Sequence, residues 1–102
     1  LGVESDDDIN DRLKRASGIE GVFVLRVDPG SSAERAGLVA AQRTRRGVAP
    51  GDIVTALNGK PVSRVGDLLA RLDDFRVGQS VELTLMRGGE ERMVRLELEP
   101  GS

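Results

Sequence analysis

Ala36-Gly37-Leu38, followed after a gap by Asp52-Ile53-Val54-Thr55-Ala56-Leu57-Asn58-Gly59-Lys60-Pro61-Val62, is the stretch whose reading decides the fold. Ser31 or Ser32 can cap a helical turn over Ala33-Glu34-Arg35-Ala36, because a hydroxyl oxygen accepts from the first free amides. Gly37 supplies the left-handed residue that ends such a turn, and Leu38 folds back onto the core. Ile53, Val54 and Leu57 read as a buried strand. Asn58-Gly59 suits a two-residue hairpin turn, since both residues tolerate positive φ. Lys60-Pro61-Val62 is then a short return, confined to a sheet edge by its proline. The gap from Val39 to Pro50 loses all apolar period: Ala40-Ala41-Gln42-Arg43-Thr44-Arg45-Arg46-Gly47 is small, polar and basic, and reads as an exposed loop.

Upstream, Asp8 is read as the cap of a two-turn amphipathic helix carrying Ile9, Leu13 and Ala16, with Asp11 completing a capping-box-like pair and Gly18 as its stop. Val22-Phe23-Val24-Leu25-Arg26-Val27 is nearly continuous in apolar character, which predicts a central strand covered on both faces, ended by Asp28-Pro29-Gly30. Downstream, Val65, Leu68, Leu69 and Leu72 fall at i, i+3, i+4 and i+7, one apolar stripe on a helix from about Val65 to Asp74 started by Ser63 or Arg64. Val81, Leu83 and Leu85, then Val94, Leu96 and Leu98, alternate with polar residues and predict two half-buried strands joined by a hairpin at Arg87-Gly88-Gly89-Glu90. The sum is an α+β fold, a small antiparallel barrel or sandwich of five or six strands with two or three short helices.

Composition narrows the function. A chain of 102 residues suits one domain burying roughly 65% of its unfolded surface. Its net charge of −2 and two aromatic residues offer neither attraction to phosphate backbones nor a stacking platform for bases. No apolar run approaches the roughly 18 residues that span a bilayer, and nothing resembles a signal peptide, so the chain reads as an excised mature domain. The absence of cysteine excludes disulfides and thiolate chemistry, and the absence of histidine excludes Ser-His-Asp triads and histidine-bound zinc. Asp6-Asp7-Asp8 lack the alternating ligands and bidentate glutamate of a calcium loop and read as helix-start acids; no metal and no cofactor is expected. A carboxylate enzyme built on Asp6, Asp7, Asp8, Asp73 and Asp74 is the alternative of a different class.

The order Ser31-Ser32-Ala33 through Ala36-Gly37-Leu38, Gly51-Asp52-Ile53-Val54, Leu57-Asn58-Gly59, Asp67-Leu68 and Val77-Gly78 through Met86-Arg87-Gly88 resembles a PDZ domain. More narrowly, it is similar to the PDZ domains attached to trypsin-like serine proteases of the HtrA/Deg (DegP-type) family. The likeness covers residues 1–99, leaving 100–102 as a tail. That family's arrangement is circularly permuted, with the peptide-carboxylate loop first and the equivalent of the first strand of the animal signalling type last.

The resemblance implies a peptide-binding module that is not itself catalytic, capturing hydrophobic C-terminal or unfolded segments for a serine protease domain in cis. Leu1, Gly2 and Val3 would offer amides to a ligand carboxylate, Glu4 and Ser5 would pair with its main chain, and Val65, Leu68, Leu69 and Leu72 would wall its pocket. Such a glycine turn forms an anion nest, and an adjacent sheet edge accepts an extended peptide. Two features depart from the pattern. Beginning at Leu1, the loop would use a free terminal amine, positively charged below a pKa near 8. The other is the basic insertion with Arg43, Arg45 and Arg46, of a kind seen in plant and cyanobacterial Deg sequences, which is either a solvated loop or a partner contact. The resemblance further implies a homo-oligomeric parent in the periplasm or cell envelope, or in the thylakoid lumen for the plant and cyanobacterial type. An interaction module from a secretion, scaffold or intramembrane-protease protein, or an oligomerisation module, are the alternatives.

Overall fold

The computed structural model describes residues 2–99. In chain order its elements are β1 (Val3–Glu4), α1 (Asp7–Ser17), β2 (Val22–Phe23), β3 (Arg26–Val27), α2 (Ser32–Arg35), β4 (Gln42–Thr44), β5 (Gly47–Ala49), β6 (Ile53–Leu57), β7 (Lys60–Pro61), α3 (Val65–Leu72), β8 (Ser80–Arg87) and β9 (Glu90–Glu97). The principal sheet runs β2-β6-β8-β9, with β7 paired to β6; β1 pairs with β3 and β4 with β5, all antiparallel. The architecture is the expected α+β one. The short pairs raise the strand count to nine among the described residues, above the five or six expected from the sequence.

Alternation builds the core. Val81, Leu83 and Leu85 are buried along β8, and Leu96, paired with Val81 on neighbouring β9, and Leu98 just beyond that strand are buried in the same cluster. Val22, Val24, Val54, Leu57 and Leu68 complete the same cluster. Both hairpin turns have the left-handed geometry their residues permit, with Asn58 at φ 49° and Gly59 at 78°, and Gly88 at 59° and Gly89 at 84°. Ser31 Oγ accepts from Glu34 N–H at 3.2 Å to start α2, and Gly37, at φ 84°, follows its end.

Four readings are corrected. First, Val22 to Val27 is not a central strand: β2 lies at one end of the principal sheet, and the chain changes partner at Val24-Leu25. Val24 N–H donates to Asp52 O, while Leu25 N–H has already moved to Glu4 O, so consecutive residues serve different sheets. Second, α1 is eleven residues long and is capped by Asp6, whose Oδ1 accepts from Asp8 and Ile9 N–H at 2.9 and 3.1 Å. Its only buried residue is polar Asn10, whereas Ile9 and Ala16 of the expected apolar stripe are exposed. Third, the expected loop at 39–50 contains the hairpin β4-β5, exposed throughout, its turn closed by Thr44 Oγ1 donating to Gly47 O at 2.8 Å. A ribbon solvated on both faces has no need of alternating apolar residues, which is why the period vanished there. Fourth, of the two starts read for α3 the N-cap is Arg64, not Ser63. Asp67 Oδ2 accepts from the N–H groups of Ser63 and Arg64, both at 3.1 Å, and the Ser63 hydroxyl donates to Glu20 Oε2 at 2.6 Å.

An ion pair with a buried carboxylate and a half-buried guanidinium joins the signature segments. Asp52 is fully buried, and its carboxylate takes Arg87 Nε at 2.6 Å, Arg87 Nη2 at 2.7 Å and Val39 N–H at 2.7 Å. Arg87 Nη2 also donates to Gly37 O at 2.9 Å. The end of α2, the start of β6 and the β8-β9 turn thus share one charge-assisted knot, and the interaction with Asp52 raises the already high pKa of Arg87.

A candidate peptide-binding groove between β1 and α3

The groove starts from an edge. Gly2 O accepts from Asp28 N–H at 2.7 Å and Glu4 O from Leu25 N–H at 2.9 Å, so these residues spend their main-chain groups on the β3 side. In an extended strand the intervening residue points the other way, which directs the N–H and C=O of Val3 to the opposite edge. Among the described residues no strand occupies that edge.

Opposite it stands α3. Val3 and Ser5 on one wall, and Val65, Leu68, Leu69 and Leu72 on the other, enclose a cavity of about 60 Å³ floored by Val22, Val24 and Val54. The four helix residues named from the sequence are therefore brought together, but unequally. Leu68 is buried in the core and forms the inner wall; Leu69 is 54% exposed and forms the rim; Val65 and Leu72 are half-buried. Ser5 is tied inward by its hydroxyl, which donates to Phe23 O at 2.7 Å, while Glu4 is exposed and pairs with Arg26 at 3.3 Å.

Gly2, at φ 89°, is sterically required: a β-carbon there would collide with Cβ and Oγ of Ser31. That contact seats the start of the chain on the N-terminal end of α2. Leu1 lies outside the described residues, as do 100–102. A second cavity of about 260 Å³ opens beyond Leu69 and Leu72, bounded also by Asp73, Phe75, Val77, Leu98 and Glu99. Phe75, Val77, Leu98 and Glu99 were not expected at the site from the sequence, which marked Leu98 only as an inward-facing strand residue and Val77 only as part of the likeness. Glu99 Oε1 accepts from Ser32 N–H at 2.8 Å, and this bond, more than the Arg35 guanidinium 3.3 Å away, holds its pKa below the ordinary glutamate value near 4.5.

Arg43, Arg45 and Arg46 line neither cavity and are exposed on the hairpin. Among the described residues no group of three or more acidic side chains is placed to hold a metal ion. What the groove offers is main-chain pairing and an apolar slot.

Residues 1–98 match the PDZ domain family. The chain is a PDZ domain. Within that family it is of the HtrA/Deg kind, being 37% identical over its whole length to the periplasmic serine endoprotease DegP of Salmonella typhimurium, and equally so to that of Escherichia coli K12. It is 38% identical over 81% of its length to the chloroplastic Protease Do-like 1 of Arabidopsis thaliana. The domain spans only about a fifth of these relatives, 20% of DegP and 19% of the plant protein. Among solved structures, the HtrA3 PDZ domain bound to the phage-derived ligand FGRWV superposes with a TM-score of 0.69 over 97% of this chain and 84% of that one, at 21% identity. An HtrA-type protease, AlgW S227A with a tripeptide, gives 0.69 over 97% of this chain and 30% of its own, at 22% identity. These two likenesses establish the fold.

Proposed function

We propose that this PDZ domain binds extended polypeptide segments, above all apolar C-termini, by strand addition to the open edge of β1. The observation that carries this reading is the pairing of that edge with an apolar slot directly across from it. A ligand strand lying there takes the main-chain groups of Val3 on one side and packs alternate side chains against α3 on the other. Ser5 continues the pairing edge, whereas Glu4 turns its carbonyl to Leu25 on the β3 side, and the ligand carboxylate is received by the amides of the loop at Leu1, Gly2 and Val3. The last side chain enters between Leu68, Leu69 and Leu72. A slot of about 60 Å³ favours a small apolar residue there, such as valine or alanine, over tryptophan.

A ligand of four to six residues gains about 1 kcal/mol per ladder hydrogen bond, which puts affinity in the micromolar range, at about −7 to −8 kcal/mol. Weak capture suits a module that passes substrates on. In the longer protein the domain recruits unfolded or damaged chains to a serine protease domain in cis, or regulates that domain on binding, in an extracytoplasmic compartment; the names of the relatives support this. Fluorescent pentapeptides differing at the last residue, each as free acid and as C-terminal amide, test the reading. Free acids ending in valine should bind at micromolar Kd and their amides at least ~10-fold more weakly, a difference of about 1.4 kcal/mol. Equal binding of acid and amide forms removes carboxylate capture, and no binding by any peptide removes the groove.

A further inference from the structure

Three side chains on one face of α1 converge on one place. Asp7, Asn10 and Lys14 stand at i, i+3 and i+7, and all three reach the residues where α3 begins. Asp7 Oδ1 accepts from Val65 N–H at 3.1 Å, Asn10 Nδ2 donates to Ser63 O at 3.1 Å, and Lys14 Nζ donates to Ser63 Oγ at 2.8 Å. Asn10 is inaccessible to solvent and the Lys14 side chain is only 13% exposed, so breaking these bonds strands buried polar groups.

The helix they hold has little stability of its own. Eight residues are too few for an isolated helix in water, so tertiary contacts decide where α3 lies. Leu68 fixes its middle in the core, and the α1 face fixes its first turn. At its own N-terminus α1 follows β1 with only Ser5 and Asp6 between, and Ser5 is itself bonded to Phe23 O. One rigid element therefore connects both walls of the groove.

We propose that Asp7, Asn10 and Lys14 are positioning residues for ligand binding: through them α1 braces β1 against the first turn of α3 and sets the width of the slot. They touch no ligand, and whatever displaces α1 acts on affinity from outside the groove. This rests on the groove being the ligand site, and two readouts keep the two ideas apart.

Asp7→Ala, Asp7→Asn and Asp8→Ala are compared in the whole domain, by affinity for a free-acid pentapeptide ending in valine and by amide hydrogen exchange. Asp8 is the control, an exposed acid in the same first turn of α1; the hydrogen bond to Val65 and the ion pair to Arg64 come from Asp7. Asp7→Ala should weaken binding about 3- to 10-fold and speed exchange of the Leu68 and Leu69 amides by a similar factor, with β8 and β9 unchanged. Asp7→Asn keeps an oxygen for Val65 N–H and should stay within about 2-fold of wild type in both. Equal effects of Asp7→Ala and Asp8→Ala, or exchange speeded uniformly through β8 and β9, overturn the proposal. If wild type binds no pentapeptide, the groove reading falls, and the exchange contrast at Leu68 and Leu69 still decides whether α1 positions α3.

Discussion

Removing either partner of the Asp52–Arg87 pair should destabilise the domain, and the two removals should differ in a direction that burial dictates. Asp52 is fully buried, whereas the Arg87 side chain keeps 33% of its surface in solvent. Arg87→Met therefore leaves a buried carboxylate with Val39 N–H as its one remaining side-chain bond, and stranding a buried charge costs about 3–5 kcal/mol. Asp52→Asn keeps one acceptor oxygen and frees a guanidinium that reaches water, so its cost is that of weakened charge-assisted bonds, about 1.5–3 kcal/mol. Against a total stability of about 5–15 kcal/mol for a domain this size, the first change consumes a large fraction. The corresponding fall in Tm is roughly 4–8 °C per kcal/mol. The chain has no tryptophan or tyrosine, so urea unfolding is followed by far-ultraviolet circular dichroism with a common m value. A cost below about 1 kcal/mol for Arg87→Met, or a larger cost for Asp52→Asn than for Arg87→Met, would refute the reasoning.

Asn10→Leu, which keeps the branched shape but is larger, deprives Gly21 O, Ser63 O and Phe23 N–H of their partners and should cost about 3 kcal/mol or more by the same urea assay; a cost under about 1 kcal/mol means these groups find water. Glu99 is held below its ordinary pKa in the folded state, so it binds fewer protons folded than unfolded near pH 4.5 and contributes stability that is present above that pH and lost as pH falls through the lowered value. Glu99→Gln should accordingly flatten the acid limb of the stability profile, and an unchanged slope between neutral pH and pH 3 would show that the Ser32 N–H contact does not stabilise the carboxylate.

The parts legible in the sequence are those whose cause is local. Asn58-Gly59 needs only its own φ angles to turn the chain, and the alternation from Val81 to Leu85 declares its inward face without knowledge of the partner. The stripe Val65, Leu68, Leu69 and Leu72 marks a helix face for the same reason, and all four residues line one cavity. Misreadings occur where distant polar groups decide. Asn10 looks like one more polar residue of an amphipathic helix until Gly21 and Ser63 arrive from 11 and 53 positions away. Val22 to Val27 is as apolar as a central strand, yet nothing within it records that β6 takes its first half and β1 its second.

The same division runs through the groove. Its walls are apolar or extended, and each announces itself by composition and period. The separation between them is another matter, because it depends on Asp7, Asn10 and Lys14, whose residue types carry no periodic signal and whose partners lie about 50 residues downstream. Two PDZ domains with matching apolar stripes can thus present slots of different width, and different width selects different terminal side chains. Ligand preference in such domains should follow the polar brace behind α3 as closely as the leucines in front of it, which is where a change of specificity would leave the lining residues untouched.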